Sequence, residues 1–362
     1  MVHLARLLVL TVAVAALAGC ERPASGDESA GAAAASGAVA ADPAKGAVNL
    51  YTARHYDADQ LLYDGFTRAT GIKVNVRQDR PDQLVERLRA EGEASPADVI
   101  LMADAGALHR AEAAGVLQPT TSQTLEQRIP ANLQDAENLW FGFSRRARVI
   151  AVDPAKINPD ARPLDYADLA SPAFRGQVCA RPADNVYNLS LTAALIERWG
   201  RDRTLDWARG VVANFARPPQ GGDIDQIRAV AAGVCGAAIT NTYYWLRLAR
   251  SEDPADKAVA DKTRLVFPDQ DGPGTHVNIS GAGVAKNAPN RANAVAFLEY
   301  LASDEAQRIL ADANSEYPAV VGVQPPEAVA RYAQFKADPM PVDVYGRRQA
   351  EAQSLLDQAG WR

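Results

Sequence analysis

Four tyrosines in the sequence follow segments that have the pattern of buried strands. Tyr56 ends the segment LYTARHY, Tyr187 lies in VCARPADNVYN, and the adjacent pair Tyr243 and Tyr244 ends AAITNTYY. A regular strand would point two neighbours such as Tyr243 and Tyr244 to opposite faces, whereas a strand-to-helix junction lets both face one place. The pattern therefore predicts that several phenol groups meet at the ends of neighbouring strands.

A group of phenols at one place is suited to binding a hard, highly charged cation, because such ions prefer anionic oxygen to sulfur. The pKa of a free phenol is about 10, but a bound cation can remove its proton at neutral pH. Fe³⁺ is the biologically common ion that favours phenolate ligands most. Four phenolates on Fe³⁺ leave a net charge of about −1, which Arg54 is best placed to balance, ahead of Arg181 and Arg217. His55, beside Tyr56, is a candidate fifth ligand or a hydrogen-bond donor to a ligand.

The same residues also have simpler explanations. A single tyrosine at a strand end usually packs with its hydroxyl in water. Together with Trp140 and Trp245, the tyrosines could instead stack on a sugar or an amine. His55 is as easily a solvated loop residue, and we expect His276, in GTHVNISG, to be structural. Asp223 has the position of a helix cap, with Gln226 three residues later.

The elements that carry these residues alternate between strands and helices. The early strands are VNLY, IKVNVR and ADVILM, and the helices between and after them are DADQLLYDGFTRATG, PDQLVERLRAEG and AGALHRAEAAGVL. This alternation predicts an α/β fold with a mostly parallel sheet and helices on both faces. In open α/β sheets the ligand lies beyond the carboxyl ends of the strands.

The return of the chain after a middle region predicts two α/β lobes that are joined by two or more crossings. We expect lobe 1 to comprise residues 47–148 plus about 265–315, and lobe 2 to comprise 149–264 plus about 316–362. The ligand would then lie in the cleft between the lobes.

Length and charge limit the class of protein. The chain has 362 residues, a formal net charge of −6 and 48% hydrophobic residues. This is a globular composition, and the length suggests roughly two domains. No dense block of Lys and Arg is present, which argues against a nucleic-acid partner.

The N-terminal segment MVHLARLLVLTVAVAALAGC has the basic start, apolar run and small residues of a secretory signal. We expect residues 1–19 to be the signal peptide, because LAGC resembles a bacterial lipobox, which implies cleavage before Cys20 and lipidation of its thiol. The alternative is an ordinary signal with a chance cysteine. Residues 21–46 are rich in Ala, Gly and Ser, so we expect them to be a flexible tether.

The mature chain then has two further cysteines, Cys179 and Cys235. Exported proteins are found where disulfides persist, and an even count fits one bridge. The alternative is two buried free thiols. No CxxC motif or Cys/His cluster indicates zinc or a redox site.

Several segments, in order along the chain from about Val48, resemble the ferric-iron-binding proteins of bacterial ABC importers. The similarity is strongest to the tyrosine-rich group known from cyanobacteria. The segments are NLYTARHYDAD, VYNLSL, GGDIDQIRAVAAGVCGAAITNTYYWLRL, HVNISGAGVAKNAPN and AVAFLEYLASDEAQ.

The resemblance implies a type II periplasmic-binding-protein clamshell with its ligand in the interlobe cleft. It implies that the iron ligands are Tyr56, Tyr187, Tyr243 and Tyr244; the histidine that corresponds to His55 is a ligand in some relatives only. It also implies an ABC permease as partner, a monomeric lipoprotein in the periplasm, and no catalysis.

One departure from the family concerns the loop before VYN. Relatives often have Ser or Gly there, whereas this chain has Ala183, Asp184 and Asn185. Asp184 would repel an anion that shared the metal at this loop.

Two other hypotheses remain: the same fold with another small solute or anion, and an exported metal-dependent hydrolase. The hydrolase is disfavoured because a catalytic metal needs an open coordination position.

Overall fold

The computed structural model describes residues 46–54, 56, 58–161 and 164–362. The predicted signal peptide, Cys20, residues 21–45 of the tether and His55 therefore lie outside the described residues. Within the described part of the chain, no helix is long and apolar enough to cross a membrane.

The described strands belong to one sheet, whose main path runs β2-β1-β3-β9-β5-β7-β6. The strands are β1 (Ala47–Thr52), β2 (Lys73–Gln78), β3 (Val99–Met102), β4 (Leu117–Gln118), β5 (Phe141–Val152), β6 (Val178–Cys179), β7 (Ala237–Asn241), β8 (Arg264–Val266), β9 (Val277–Ala285) and β10 (Tyr317–Pro318). Outside the main path, β4 pairs with β9, while β8 and β10 pair with β5.

The sheet is mixed, so the prediction of a mostly parallel sheet was wrong. β1 is parallel to β2 and β3, and β6 is parallel to β7. The central pairs β3–β9, β5–β9 and β5–β7 are antiparallel. The reason is that the returning strand β9 enters between β3 and β5 in the opposite direction, which local strand–helix alternation does not reveal.

Strand β5 connects the two parts of this sheet. Its first half pairs with β9, from Phe141 to Ala147, and its second half pairs with β7, from Arg148 to Val152. All nine residues of β9 are buried. A Cβ at Gly283 would lie 2.2 Å from the carbonyl oxygen of Leu139, so this position requires glycine for close packing. The two-lobe boundaries stay a prediction.

Fourteen α-helices lie between and after the described strands. They are α1 (Asp59–Thr70), α2 (Pro81–Glu91), α3 (Ala105–Ala113), α4 (Gln123–Arg128), α5 (Val186–Trp199), α6 (Arg201–Ala213), α7 (Asp223–Ala231), α8 (Thr242–Arg250), α9 (Pro254–Asp261), α10 (Arg291–Leu301), α11 (Asp304–Asn314), α12 (Glu327–Ala330), α13 (Asp343–Arg347) and α14 (Gln349–Ala359). Helix α1 ends where the sequence predicts, at Gly71, which has φ of 74°.

A disulfide joins the two strands that lead to the later tyrosines. Cys179 is the last residue of β6, and Cys235 lies just before β7. The two cysteines are bonded, with Cα atoms 5.9 Å apart, and both are fully buried. β6 and β7 are adjacent parallel strands, so the bridge reinforces a pairing of only two residues on each strand.

Candidate functional site

The four tyrosines singled out in the sequence meet at one place. The Tyr56 hydroxyl donates a hydrogen bond to the Tyr243 oxygen at 3.4 Å, and the Tyr243 hydroxyl donates to the Tyr187 oxygen at 3.1 Å. The rings of Tyr243 and Tyr244 lie 4.2 Å apart, and the Tyr244 phenol interacts with those of both Tyr243 and Tyr187. Four hydroxyl oxygens therefore form one continuous cluster.

Three different junctions bring these side chains together. Tyr56 follows β1, while Tyr187 is in the first turn of α5, where the Asn185 side chain accepts a hydrogen bond from the Tyr187 backbone N–H at 3.2 Å. Tyr243 and Tyr244 are in the first turn of α8, which begins directly after β7. Successive residues of a helix are rotated by about 100° rather than 180°, so both phenols can reach the same cluster.

Burial keeps these phenols protonated in the absence of a cation. Desolvation raises the pKa of all four: Tyr56, Tyr187, Tyr243 and Tyr244. Charge repulsion from a neighbouring phenolate raises each pKa further, whereas the hydrogen bond from Tyr243 lowers the pKa of Tyr187, and the contacts with Tyr243 and Tyr187 lower the pKa of Tyr244. Loss of the protons therefore requires a positive charge among the oxygens.

Arg54 lies beside Tyr56, as the sequence predicts. Its guanidinium carbon is 4.9 Å from the centre of the Tyr56 ring. The same guanidinium is buried and forms ion pairs with Asp59 at 2.7 Å and with Glu316 at 3.1 Å. Two carboxylates thus already balance this charge, so Arg54 contributes less net positive potential than its position alone indicates.

Two buried arginines of β5 were missed in the sequence. Arg146 lies 5.8 Å from the ring centre of Tyr243 and pairs with Glu316 at 3.0 Å. Arg148 lies 5.7 Å from the ring centre of Tyr187. The signal was present, because two arginines two positions apart in an apolar strand must share one face.

Asp223 does not cap α7, so that prediction was wrong. The capping hydrogen bond is made by Asp225, whose carboxylate accepts from the Gly222 N–H at 2.7 Å. The buried Asp223 carboxylate instead pairs with Arg148 at 2.6 Å and with Arg181 at 2.7 Å. Asp223 turns inward because the buried Arg148 and the partly exposed Arg181 need a carboxylate partner.

The two weaker arginine candidates have different outcomes. Arg181 lies 5.5 Å from the ring centre of Tyr187, so it does belong to the surroundings of the cluster. Arg217 donates to the Gln226 side chain at 3.1 Å, and no contact joins it to the four tyrosines among the described residues.

Arg247 is a further cation that the sequence analysis missed. Its guanidinium carbon lies 4.5 Å from the ring centre of Tyr56, 5.3 Å from that of Tyr243 and 5.9 Å from that of Tyr244. Helical spacing could have found it, because it follows Tyr243 and Tyr244 by four and three residues in α8. Within the described residues it makes no ion pair with a carboxylate, so its charge is available to the phenols.

The aromatic-stacking alternative is not favoured by the structure. Trp140 is fully buried and donates from its indole N–H to Glu112 at 3.1 Å, while Trp245 donates to Thr263 at 2.8 Å. Both tryptophans therefore serve the core and not the phenol cluster. His276 is also structural: it is buried against Tyr345, at 4.6 Å between ring centres.

The chemistry of the cluster is that of an anionic-oxygen site for a small, highly charged cation. No group of three or more His, Cys, Asp or Glu side chains suited to a metal occurs among the described residues. The four phenol oxygens are thus the candidate metal ligands of the described site, and buried arginines lie around them.

Comparison with known proteins assigns the chain to a family. The fold is that of the type II periplasmic-binding proteins. The chain belongs to the bacterial extracellular solute-binding protein family, whose model matches residues 94–337. It is therefore a solute-binding protein and not an enzyme, which removes the hydrolase hypothesis.

Its relatives are similar over most of their length. Iron uptake protein A2 of Synechocystis sp. is 48% identical over 317 residues, which cover 87% of this chain and 90% of that protein. The major ferric iron-binding protein of Neisseria meningitidis serogroup B is 31% identical, with coverages of 90% and 96%. The structure of Trichodesmium FutA (IdiA) in complex with iron and citrate has 52% identity and a TM-score of 0.84, and the match covers 87% of this chain and 100% of that one.

Proposed function

We propose that the protein captures Fe³⁺ outside the cytoplasm and delivers it to the permease of an ABC importer. The observation that carries this proposal is the continuous cluster of four phenol hydroxyls. The relatives support the same cargo, because their names state iron uptake and ferric iron binding.

The proposed ligands are Tyr56, Tyr187, Tyr243 and Tyr244. Small hard cations hold oxygen ligands at about 2.0–2.2 Å, which places neighbouring ligands at right angles about 3 Å apart. The hydroxyl separations of 3.1 and 3.4 Å already approach this spacing. Binding would therefore replace hydroxyl protons by the ion with little movement of these three oxygens. His55 stays a candidate ligand.

The surrounding charges support an anionic complex of phenolates and metal. Four phenolates and Fe³⁺ together carry a charge of about −1. Arg54 and Arg146 are balanced by Asp59 and Glu316. Among the described residues Arg247 forms no ion pair, and Arg148 and Arg181 share the single carboxylate of Asp223, so the described surroundings keep an excess of positive charge. This excess of positive charge offsets the negative charge that the phenolates bring into a buried site.

We further propose that the ion closes a cleft between two lobes with the boundaries given above. Tyr56 follows β1, on one side of the sheet path, whereas Tyr187 and Tyr243 follow β6 and β7 at its other end. A ligand set drawn from both sides is complete only in the closed form. The ion would therefore bind that form more tightly, and this difference drives closure.

The place of action is part of the proposal. The N-terminal sequence supports export, cleavage before Cys20 and lipid anchoring there, with residues 21–46 as tether. The anchored, monomeric protein would then present its closed form to a permease in the same envelope.

The direct test is the visible spectrum of the purified mature protein, recorded with and without ferric iron supplied as a weak chelate. Phenolate-to-iron charge transfer should colour the ferric protein. The protein should also bind Ga³⁺, but the Ga³⁺-loaded protein should stay colourless. A panel of sugars, amines and anions should not displace the ion. A colourless ferric sample with no bound iron would contradict the proposal and favour another solute.

A further inference from the structure

Helix α5 carries, besides Tyr187, a buried hydroxyl that points to a carboxylate on another element. Ser190 is fully buried and follows Tyr187 by three residues, so the two side chains lie on the same face of the helix. The Ser190 hydroxyl donates to the Asp104 carboxylate, with Oγ at 3.0 Å from Oδ2 and 3.2 Å from Oδ1.

Asp104 receives hydrogen bonds from four separate elements. It is the N-cap residue of α3 and accepts from the Gly106 N–H at 2.7 Å. Asn278 of β9 donates to it at 2.8 Å, and Gln349 of α14 donates at 3.2 Å. With Ser190 of α5, these donors surround a carboxylate that is only 2% exposed. An N-cap alone would need only the first of these bonds.

The position of Asp104 relates it to Tyr56. β1 and β3 are adjacent parallel strands, with Thr52 opposite Leu101. Tyr56 follows the carboxyl end of β1, and Asp104 follows the carboxyl end of β3. The two residues therefore leave the same edge of the same part of the sheet, although no hydrogen bond or ion pair of the described residues joins Asp104 to the four phenols.

We propose that Asp104, through its hydrogen bonds to Ser190, is a positioning residue that sets the distance between Tyr187 and Tyr56. Asp104 fixes the Tyr187-bearing face of α5 against the strand edge from which Tyr56 arises. This inference rests on the proposed function, because the distance matters only if both phenols hold one ion. Residues that orient a metal ligand through a hydrogen bond are known in other metal sites, and removing such a residue costs about 10–100-fold in metal affinity.

The test compares Ser190→Ala with a matched control, Ser122→Ala. Both changes remove a buried serine hydroxyl that donates to a carboxylate, since Ser122 donates to Glu299 at 2.7 Å and caps α4. Ser122 touches none of the four tyrosines among the described contacts. The two variants should therefore lose similar thermal stability, and only Ser190→Ala should alter the site.

Two readouts are measured on the full mature protein. The first is ferric affinity, by competition with citrate, together with the wavelength of the charge-transfer band. Ser190→Ala should bind about tenfold more weakly and show a shifted band, while Ser122→Ala should match the wild type. The second readout needs no iron: hydrogen–deuterium exchange of the peptide 185–192 should increase in Ser190→Ala and stay unchanged in Ser122→Ala.

The outcomes separate this inference from the proposed function. Unchanged affinity, band and exchange in Ser190→Ala would overturn the positioning role while wild-type iron binding stands. Equal loss of affinity in both variants would also overturn it, because the effect would then be one of general stability. If the wild type bound no iron, the proposed function would fail. Hydrogen–deuterium exchange of the peptide 185–192 could still be measured, and unchanged exchange in Ser190→Ala would show that the hydrogen bond to Asp104 does not hold α5 in place.

Discussion

The hydroxyl of Tyr243 donates a hydrogen bond to the oxygen of Tyr187 at 3.1 Å, although 56 positions separate the two residues. One side chain starts α8 and the other starts α5, so two helix beginnings are joined at the phenol cluster. A contact of this kind is consistent with a shared ion, because the two oxygens already lie within hydrogen-bond distance of each other.

Replacing Tyr243 or Tyr244 with Phe should weaken ferric binding by at least about a hundredfold, which exceeds the usual cost of losing a residue that only supports a ligand. Each change removes one anionic oxygen and keeps the packed ring. Titration followed by the charge-transfer absorbance measures the affinity. Fold stability should fall by only about 1 kcal/mol, the net value of one hydrogen bond.

The matched control for these variants is Tyr345→Phe. Tyr345 is as fully buried as Tyr243 but packs on His276. Its ferric affinity and colour should equal those of the wild type. Full affinity and colour in both Tyr243→Phe and Tyr244→Phe would show that these residues are not the ligands.

Tyr56→Phe should have a different effect, because Tyr56 follows β1 and the other three phenols follow β6 and β7. Three phenolates would remain for Fe³⁺, so partial ferric binding should survive while closure is impaired. Solution X-ray scattering should then give a larger radius of gyration for the iron-loaded variant than for the iron-loaded wild type. Equal radii would contradict a role for Tyr56 in closure.

Removing the disulfide by the double change of Cys179 and Cys235 to Ser should lower the free energy of unfolding by about 2–5 kcal/mol, as for other native bridges. It should also weaken ferric binding, because β6 and β7 lead to Tyr187 and Tyr243. Urea unfolding and iron titration measure the two effects. Thiol labelling of the unreduced, unfolded wild type should modify neither cysteine; two labelled thiols would refute the bridge.

His276 should make the protein less stable in mild acid. Burial, together with the nearby Arg148, lowers the pKa of His276 to about 3, below the value of about 6.5 for an unfolded chain. Below pH 6.5 the unfolded chain therefore binds a proton that the folded chain does not, and stability falls with pH down to about 3. Between pH 7 and pH 5 this contribution is about 2 kcal/mol.

The measurement for His276 is urea unfolding of the apo protein and of His276→Gln at pH 7 and pH 5. The difference between the two proteins isolates the histidine from other titrating groups. The wild type should lose about 2 kcal/mol more than the variant. Parallel losses would mean that the pKa of His276 is the same in the folded and the unfolded chain.

Changing Cys20 to Ser should release the protein from membranes without changing its iron affinity. The reason is that lipidation needs the thiol, whereas residues 21–46 act only as a tether. Fractionation of cells and titration of the released protein test the two statements. Iron binding that disappeared together with the lipid would contradict the tether.

The four tyrosines could be found in the sequence because each follows a recognisable strand. The double tyrosine was the clearest signal, since a regular strand cannot direct both rings to one place. The charges around them were harder to predict. Arg54 was found through its nearness to Tyr56, but its pairing with Glu316 joins residues 262 positions apart, and no local pattern predicts such a contact.

The fold class could be predicted from the sequence, but the relative directions of the strands could not. Alternating strands and helices indicate α/β, and the bounds of α1 and β9 agree with the pattern. The antiparallel insertion of β9 between β3 and β5 depends on long-range pairing, which hydrophobic periodicity does not encode. The error at Asp223 has the same origin, because two arginines distant in sequence compete with the local cap for this carboxylate.

The central position of β5 has a consequence for how the chain acquires its structure. β5 ends at Val152, yet its partners β7, β8, β9 and β10 are supplied by later segments, the last at Tyr317–Pro318. During synthesis from the N-terminus, this strand must wait for roughly half of the polypeptide before its edges are satisfied. Pairings of such high sequence separation form slowly. The nascent chain should therefore stay incompletely folded until late, and a chaperone that shields β5 would have roughly half of the synthesis time in which to act.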